Sequence, residues 1–342
     1  MTVIKAFGPG RVNLIGEHTD YNGGLALPFA IDEGVTVTAT AIEGGETTAV
    51  ARDFDDETDA FPVADPPRGA DGWRPFVRGI VAELGIAQAA RLEIAGDLPQ
   101  GSGLSSSAAL EVALALALLA LEQREVDRPR LAEICARVEN DWVGAQTGLL
   151  DQTASLLSTD GHALRIDFRT MDTTSVPLDL GGWRLVTVDS GEHHSLSAAE
   201  GYNERRAECE EAARRLGVPT LSEATEDAAD GLPDNLARRV RHVLTENARV
   251  DRTVDALHDQ DLQEVGRLLD ASHASLRDDY EASTDAVERT VDKLKTAGAA
   301  GARMVGGGFG GHVLALFPPD APLPDDAREV RPGPGARLLE DD

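Results

Sequence analysis

Alternation of apolar and polar residues predicts several strands in the first half of the chain. Residues 34–42 alternate valine with threonine, which is typical of a strand that buries one face. Shorter runs with the same character predict further strands at residues 4–7, 47–52, 91–95 and 163–168. Residues 53–72 are rich in Asp, Pro and Gly and predict a solvated loop.

Helical periodicity is strongest at residues 105–122, a run rich in alanine and leucine. The same periodicity predicts helices at residues 73–84, 127–140, 149–157, 198–216, 235–257, 262–276 and 285–297. Strands are predicted at 183–189 and on both sides of the glycine run 306–311, and an irregular end is predicted from 318 onward. This order predicts an α+β fold in two parts, residues 1–177 and 178–342.

Charge is the most unusual aspect of the composition. The 342 residues carry a formal net charge of −28, and lysine occurs only at Lys5, Lys293 and Lys295. The acidic residues are spread along the chain, as in proteins adapted to high salt, where self-repulsion is screened. Because nucleic acids and anionic membranes would repel such a surface, we expect neither as a partner.

Cysteine content and hydropathy indicate an intracellular protein. Cys135 and Cys209 are too few for a disulfide framework, and no Cys and His residues have the spacing of metal ligands. The start, MTVIKAFGPG, does not resemble a signal peptide, and the longest apolar run, 112–121, is too short to span a bilayer. We therefore expect a cytoplasmic protein that is a monomer or a weak homo-oligomer.

Three segments carry candidate chemistry. The first, GRVNLIGEHTDYNGG at residues 10–24, places Arg11, Glu17, His18 and Asp20 in and beside a turn. Charged acceptors held on a turn suit the hydroxyls of a sugar. Taken alone, the segment is explained equally well as an acidic surface loop.

The second segment, LPQGSGLSSSAAL at residues 98–110, passes from a glycine loop into the predicted helix. Glycines let a backbone approach an anion, and a helix N-terminus favours phosphate. The serines can cap the helix or ligate magnesium. The third segment, GGGFGG, is either a flexible hairpin or a turn pressed against a ligand.

In this order the three segments resemble the motifs of the GHMP small-molecule kinases, and the first resembles the signature of the galactokinases within them. The resemblance extends over most of the chain, including residues 201–210, 238–249 and 272–281. It implies a GHMP kinase fold with an N-terminal domain like domain 2 of ribosomal protein S5 and a ferredoxin-like C-terminal domain. The active site would lie between them.

The resemblance also implies a role for each matching residue. The catalytic aspartate would be Asp151, in the segment GLLDQ, with Arg11 beside it. The sugar-binding residues would be Glu17, His18, Thr19, Asp20, Gly148 and Tyr202. The ATP-binding loop would consist of Gly101, Ser102, Gly103, Leu104, Ser105, Ser106 and Ser107. Magnesium, accompanying ATP, would be held by Ser107 and Glu139.

Each of these residues also has a plain structural explanation. Asp151 fits a helix N-cap, Glu139 an acid on a charged helix surface, Tyr202 a packing residue, and Arg11 a surface ion pair. A decisive expectation separates the two interpretations. Asp151 must lie next to Arg11 if the three segments form one site.

The activity implied is transfer of the γ-phosphate of ATP to the C1 hydroxyl of α-D-galactose. Two alternatives stay open. One is a kinase for another sugar, such as N-acetylgalactosamine, arabinose or glucuronate. The other is a sensor that binds galactose and ATP without turnover, although the intact serines 105–107 and Asp151 argue against it. The compact region 43–73 leaves the adenine contacts undefined.

Overall fold

The computed structural model describes residues 2–98, 103–145, 147–192 and 196–340, without the side chains of 196–199 and 226. Its helices are α1 (Arg74–Glu83), α2 (Ser106–Leu121), α3 (Arg128–Val138), α4 (Leu150–Leu157), α5 (Leu196–Leu216), α6 (Asp234–His258), α7 (Leu262–Asp278) and α8 (Asp285–Thr296). Its strands are β1 (Val3–Asn13), β2 (Leu25–Ala26), β3 (Pro28–Ala41), β4 (Glu46–Ala51), β5 (Glu57–Pro62), β6 (Ala90–Gly96), β7 (His162–Asp167), β8 (Asp172–Pro177), β9 (Arg184–Asp189), β10 (Gly301–Met304), β11 (His312–Phe317), β12 (Arg328–Val330) and β13 (Arg337–Leu339). The predicted α+β class is confirmed.

A six-stranded sheet in the order β13-β1-β3-β6-β4-β5 forms the frame of the first half. Helix α2 crosses β1 and β3, and thirteen of its sixteen residues are buried. A helix that is apolar on every side can only lie in a core. The core around α2 therefore fixes the position of the serines at its N-terminal end.

The second half is built on a four-stranded sheet in the order β10-β11-β9-β12. One apolar core fills the space between this sheet and helices α5, α6 and α8. Another joins Val12 and Phe29 of the first sheet to Leu268 of α7 and Leu314 of β11. Because this second core draws on both halves, the halves pack against each other through buried apolar surface.

The register of β1 against β3 changes next to Arg11. Pro9 faces Gly34, whereas Arg11 faces Ala30. A Cβ atom on the intervening Gly10 would lie 2.8 Å from the carbonyl oxygen of Leu104. Irregular pairing of this kind re-aims side chains, and here Arg11 is turned toward the start of α2.

Two segments predicted to be irregular contain strands. Residues 53–72 include β5, where Phe61 and Asp59 are buried and Arg78 of α1 pairs with the Asp59 carboxylate at 2.6 Å. The sequence did not reveal this strand, because its acidic residues resemble those of a solvated loop. Asp59 can be buried only because Arg78, which is distant in sequence, neutralises its charge. Residues after 318 include β12 and β13, so the prediction of an irregular end is wrong there as well.

The last strand returns to the first sheet. β13 pairs with β1, and Arg128 of α3 donates a hydrogen bond of 2.8 Å to the carbonyl of Ala336. The predicted boundary at residue 177 falls at the end of β8, but the segment 333–339 packs with the first half. Within the described residues, no helix has the length and apolar character needed to cross a membrane.

Gly8 of β1 tests the contact between α2 and the sheet. A Cβ atom at this position would lie 2.1 Å from the carbonyl oxygen of Ala109, which is backbone and cannot rotate away. We expect Gly8→Ala to lower the free energy of unfolding by about 1–3 kcal/mol, the usual cost of overpacking. Urea denaturation followed by circular dichroism measures the change.

Gly45→Ala is the matched control, because a Cβ atom there would meet nothing within 4 Å. We expect it to change the free energy of unfolding by less than about 0.5 kcal/mol. Equal unfolding midpoints for the two variants would contradict the placement of α2 on β1.

Candidate active site

A cavity of about 470 Å³ lies where the three sequence segments meet. Its walls come from five parts of the chain. They are the loop between β1 and β2 (residues 14–24, the first-segment loop), the N-terminal end of α2, the turn before α4, the start of α5 and the loop between β10 and β11 (residues 305–311, the glycine loop). The lining residues are Arg11, Glu17, His18, Asp20, Gly103, Ser105, Ser106, Ser107, Gly144, Ala145, Thr147, Gly148, Leu150, Asp151, Tyr202, Asn203, Gly306, Gly307 and Gly308.

Arg11 and Asp151 form an ion pair at this cavity. The Arg11 guanidinium contacts Asp151 Oδ1 with Nε at 2.8 Å and Nη2 at 2.7 Å. Its Nη1 donates to the carbonyl of Gly103 at 2.6 Å, and Ser105 Oγ donates to the other Asp151 oxygen. The decisive expectation from the sequence, proximity of Asp151 to Arg11, is confirmed.

The structure excludes the plain explanations for three of these residues. Asp151 lies in the first turn of α4 but bonds Arg11 and Ser105, and Leu149 takes the cap position. Arg11 is 6% exposed and Glu139 is 7% exposed, so neither is a surface group. Ser105 has a left-handed backbone at φ 61° and makes no side-chain cap bond to α2.

The predicted ATP-binding loop divides into residues at the cavity and residues behind it. Ser106 is exposed at the first turn of α2, and the Ser107 hydroxyl donates to Glu139 Oε1 at 2.9 Å. Leu104 is buried in the core shared by the two halves and does not line the cavity. Gly101 and Ser102 lie outside the described residues.

Glu139 is held by neutral donors. Its Oε2 atom accepts hydrogen bonds from Thr147 at 2.9 Å and from Gln152 at 2.8 Å. Burial raises the pKa of this carboxyl, and the charge of Asp151 acts in the same direction. A cation next to Glu139 would offset both effects.

The donor set around Glu139 fits a magnesium ion. Ser107 Oγ and Glu139 Oε1 are 2.9 Å apart, and these two oxygens, of the kind that Mg²⁺ prefers, would hold the ion. Among the described residues, no group of three or more His, Cys, Asp or Glu side chains is arranged to hold a metal. Mg²⁺ commonly takes one or two protein oxygens and completes its shell with water and phosphates.

Glu17 joins the first-segment loop to the glycine loop. Its Oε1 atom accepts from the backbone N–H of Gly306 at 2.8 Å and lies 3.1 Å from Nη2 of Arg303. Asn13 Nδ2 donates to Oε2 at 3.0 Å. Arg303 is fully buried and also donates to the carbonyls of Asn13 and Leu14, each at 2.9 Å.

His18 and Asp20 have altered acid–base properties. Burial lowers the pKa of His18 to about 3, so its imidazole is neutral at pH 7. Burial also raises the pKa of Asp20 to about 6, reinforced by the charges of Asp151 and Glu17. A Cβ atom on Gly148 would lie 1.8 Å from Asp20 Oδ2, so the carboxylate rests directly on that glycine.

Two predicted sugar-binding residues differ in their placement. Tyr202 lines the cavity, and burial raises the pKa of its hydroxyl well above the ordinary value, which keeps it a donor. Thr19 is fully buried and does not line the cavity. Its hydroxyl contacts the carbonyls of Gly16 and Leu25, at 2.9 and 2.7 Å, and so closes the loop from within.

Helix α6 supports the loop in a way that the sequence did not reveal. Glu246 accepts from the backbone N–H of Gly16 at 3.0 Å, and Asn247 from that of Leu25 at 2.8 Å. His242 Nε2 contacts the carbonyl of Glu17 at 3.1 Å. The sequence offered one indication of this support. Residues 238–249, RRVRHVLTENAR, resemble the family, but the resemblance implied no role for the individual residues.

A second cavity adjoins the turn that follows α3. It measures about 650 Å³ and is lined by Val63–Arg68, by the end of α1 and by Trp142. The Arg68 guanidinium lies 4.2 Å from the centre of the Trp142 ring. Trp142 belongs to the same turn as Glu139, and the two cavities have no lining residue in common.

The pKa of His242 makes the support from α6 dependent on pH. Burial lowers this pKa from 6.5 to about 4, so the folded protein keeps the ring neutral while the unfolded chain takes up a proton below pH 6.5. Stability from this group is therefore complete above pH 6.5 and is lost as the pH falls toward 4. We expect the stability advantage of the wild type over His242→Gln to shrink by about 1.4 kcal/mol per pH unit in that window.

Chemical denaturation at several pH values measures this difference, because effects common to both proteins cancel. His258→Gln, at an exposed position at the end of α6, is the control, and its difference from the wild type stays constant. A constant difference for His242→Gln as well would show that His242 titrates normally in the folded protein.

Family models match three regions of the chain. They are the galactokinase galactose-binding signature at residues 3–41, the GHMP kinases N terminal domain at 75–159 and the GHMP kinases C terminal region at 253–332. Arg11, Glu17, His18 and Asp20 fall within the first match, and Glu139 and Asp151 within the second.

Curated relatives match nearly the full chain. A galactokinase of Streptomyces coelicolor is 42% identical over 321 residues, which are 90% of this chain and 83% of the relative. A galactokinase of Thermotoga petrophila is 39% identical over 318 residues, which are 92% of this chain and 89% of the relative.

Solved structures agree. Lactococcus lactis galactokinase, in a complex with galactose, superposes with a TM-score of 0.92 at 32% identity and covers 98% of this chain and 95% of that one. A mevalonate kinase, at 19% identity and a TM-score of 0.67 with 93% and 92% covered, shares the fold. These matches confirm the two-domain GHMP kinase fold, and the chain belongs to the galactokinase family of the GHMP kinases.

Proposed function

We propose that this protein transfers the γ-phosphate of ATP to the C1 hydroxyl of α-D-galactose, giving α-D-galactose 1-phosphate and ADP. The observation that carries the proposal is the pairing of Asp151 with Arg11 and Ser105 in a cavity that also holds Glu17, His18 and Asp20. One cavity thus combines acceptors for sugar hydroxyls with a carboxylate that is fixed from two sides.

The sugar is held by the first-segment loop in this proposal. Asp20 and Glu17 accept hydrogen bonds from hydroxyls, and charged acceptors make the stronger bonds. Tyr202 closes the same cavity, with its ring edge-on to Tyr21 at 5.9 Å. The C1 hydroxyl then faces Asp151, as the matched motif implies.

Asp151 takes the proton of the C1 hydroxyl. Arg11 can stabilise charge that develops on the transferred group. Phosphoryl transfer requires mainly positioning and charge stabilisation, and this pair supplies both. Both residues are fixed by hydrogen bonds to other parts of the site before any substrate binds.

The phosphates lie at the N-terminal end of α2. The free N–H groups of its first turn and the helix dipole favour an anion there. Magnesium would be held by Ser107 and Glu139 and would neutralise phosphate charge. We place the adenine base in the second cavity, against the apolar and aromatic wall that includes Trp142.

Environment and assembly are further parts of the proposal. The net charge of −28 supports activity at high salt, where counter-ions screen the repulsion between surface acids. We also propose a cytoplasmic protein that is a monomer or a weak homo-oligomer. The assay below is therefore run in both dilute and molar salt.

Asp151→Asn tests the assigned proton acceptor. The amide keeps the shape of the side chain but cannot take a proton, so we expect turnover to fall by about 10² or more. Galactose binding, measured by calorimetry, stays detectable. ADP release coupled to a dehydrogenase measures turnover with galactose, N-acetylgalactosamine, arabinose and glucuronate.

Asp172→Asn, at an exposed position on β8, is the control and retains wild-type turnover. Faster turnover of another sugar than of galactose would replace the proposed substrate. Binding without turnover of any sugar by the folded wild type would favour a sensor. Near-normal turnover of Asp151→Asn would show that another group accepts the proton.

Gly148→Ala tests the placement of Asp20. The added methyl group would occupy the position of the Asp20 carboxylate, so the carboxylate has to move away from the sugar. We expect the KM for galactose to rise about tenfold, the loss of roughly one hydrogen bond to a charged group, with the KM for ATP unchanged. Steady-state kinetics with each substrate varied in turn measures both constants.

Gly231→Ala is the matched control, because a Cβ atom there has no neighbour within 4 Å. It leaves both constants unchanged. An unaltered KM for galactose in Gly148→Ala would remove Asp20 from the sugar site.

A further inference from the structure

A chain of hydroxyl groups leads away from the cavity behind His18. Tyr21 Oη lies 2.8 Å from His18 Nδ1, and Tyr280 Oη lies 2.7 Å from Tyr21 Oη. Cys209 Sγ lies 3.1 Å from Tyr280 Oη, and the thiol also has a hydrogen bond with the side chain of Asn22. Tyr21, Tyr280 and Cys209 do not line the cavity, and we call these three residues the hydroxyl relay.

The other nitrogen of His18 faces the site. The ring lines the cavity and is buried, and Nε2 makes no hydrogen bond of standard geometry with the described residues. The backbone of Gly307, which also lines the cavity, acts on the ring as a weak hydrogen-bond partner and raises the pKa of His18 slightly against the effect of burial. A buried polar atom without a partner is costly unless a ligand satisfies it. Which of the two ring nitrogens carries the proton then decides whether His18 offers the ligand a donor or an acceptor.

The surroundings hold the His18 ring in one place. The ring stacks on Tyr280 with centroids 4.4 Å apart and meets Tyr21 edge-on at 6.0 Å. Its backbone has φ 60°, a left-handed conformation that a non-glycine residue adopts only when its environment requires it. Ring flipping would break the 2.8 Å contact to Tyr21, so Nε2 is the nitrogen left for a ligand.

The donor and acceptor strengths of the three groups in the relay favour one direction of hydrogen bonding, with each group donating toward His18. A phenol is a good donor and a neutral imidazole nitrogen is a good acceptor, whereas a thiol is weak in both roles. When the protons point toward His18, Tyr21 donates to Nδ1 and the weak thiol has only to donate to Tyr280. The reverse direction would use Nδ1–H as the donor and would end on sulfur as the acceptor.

The ligand side favours the same direction. Glu17 and Asp20 are acceptors when ionised, so sugar hydroxyls donate their protons to them. The lone pairs of those hydroxyls then need donors. Tyr202 is one such donor at the cavity, whereas the Arg11 guanidinium is already engaged with Asp151 and Gly103, so an Nε2–H of His18 supplies a further donor.

We propose that Tyr21 and Tyr280 are positioning residues that hold His18 in the tautomer with its proton on Nε2, so that the imidazole donates a hydrogen bond to an oxygen of the bound sugar. The proposal rests on the proposed function for the identity of the ligand. The tautomer itself is a property of the protein without sugar. It can therefore be tested whether or not galactose is the substrate.

Nitrogen-15 NMR of the sugar-free protein, labelled at its histidines, reads the tautomer directly. The resonances of His18 are assigned by their absence in His18→Gln. We expect a protonated Nε2 and an unprotonated Nδ1 in the wild type. Tyr21→Phe removes the donor to Nδ1, so a population with the proton on Nδ1 appears.

Tyr280→Phe gives a smaller population of this kind, because Tyr21 keeps its hydroxyl but loses the partner that orients it. Cys209→Ser preserves the wild-type spectrum, since serine is a better donor than cysteine. Thr290→Val is the matched control. It removes a buried hydroxyl that donates to the carbonyl of Ala286 within α8, and the His18 resonances do not move.

Kinetics gives the second readout. We expect Tyr21→Phe to raise the KM for galactose about tenfold, with the KM for ATP unchanged and Cys209→Ser at the wild-type value. Wild-type His18 protonated on Nδ1, or a tautomer that Tyr21→Phe leaves unchanged, would overturn the proposal whatever the activity. The proposed function can fail separately from this proposal. That result would be a folded wild type in which His18 is protonated on Nε2 but galactose is not phosphorylated.

Discussion

The ion pair between Arg11 and Asp151 is the contact on which the arrangement of the site depends. Arg11 is almost fully buried, and a buried guanidinium is tolerated only when a carboxylate neutralises it and its remaining N–H groups find acceptors. Asp151 and the Gly103 carbonyl meet both needs. Strand β1, the turn before α2 and helix α4 are thereby fixed relative to one another, and Ser105 completes the set from the turn.

A second constraint works across the two halves of the protein. The loop that carries Glu17, His18 and Asp20 belongs to the first half by sequence, yet buried charged groups of the second half hold it. Glu246 accepts a hydrogen bond from the backbone of Gly16. Burial alone would raise the pKa of Glu246, but nearby positive charges, among them Arg249 and Arg303, lower it to about 2, so the carboxylate stays ionised. Arg303 holds the loop from β10 through Glu17 and two backbone carbonyls. The proposed sugar site therefore depends on contacts between the two halves.

Periodicity and residue composition were sufficient to predict the elements whose structure depends on neighbouring residues in the sequence. The apolar run of α2 and the glycines around it define a helix start and its turn, and the three segments could be placed together from their character. The contact between Gly16 and Glu246 spans 230 positions, and that between Arg303 and Glu17 spans 286, so no periodicity or propensity reports them. Strand β5 was concealed for a related reason, since its buried aspartate is acceptable only beside Arg78 of α1. Thr19 is an example of the opposite kind. Its position within the sugar-binding motif implied a contact with the sugar, whereas its side chain points into the loop and bonds backbone carbonyls there.

The return of β13 to the edge of β1 determines when the protein can complete its fold during synthesis. Strand β13 is synthesised after all the other helices and strands described above, yet it pairs with the first of them, β1. Until β13 leaves the ribosome, the outer edge of β1 presents unpaired backbone groups, the kind of edge that recruits strands from other chains. The sheet of the first half is therefore begun early and completed late, and a nascent chain stalled before β13 would expose this edge to its neighbours.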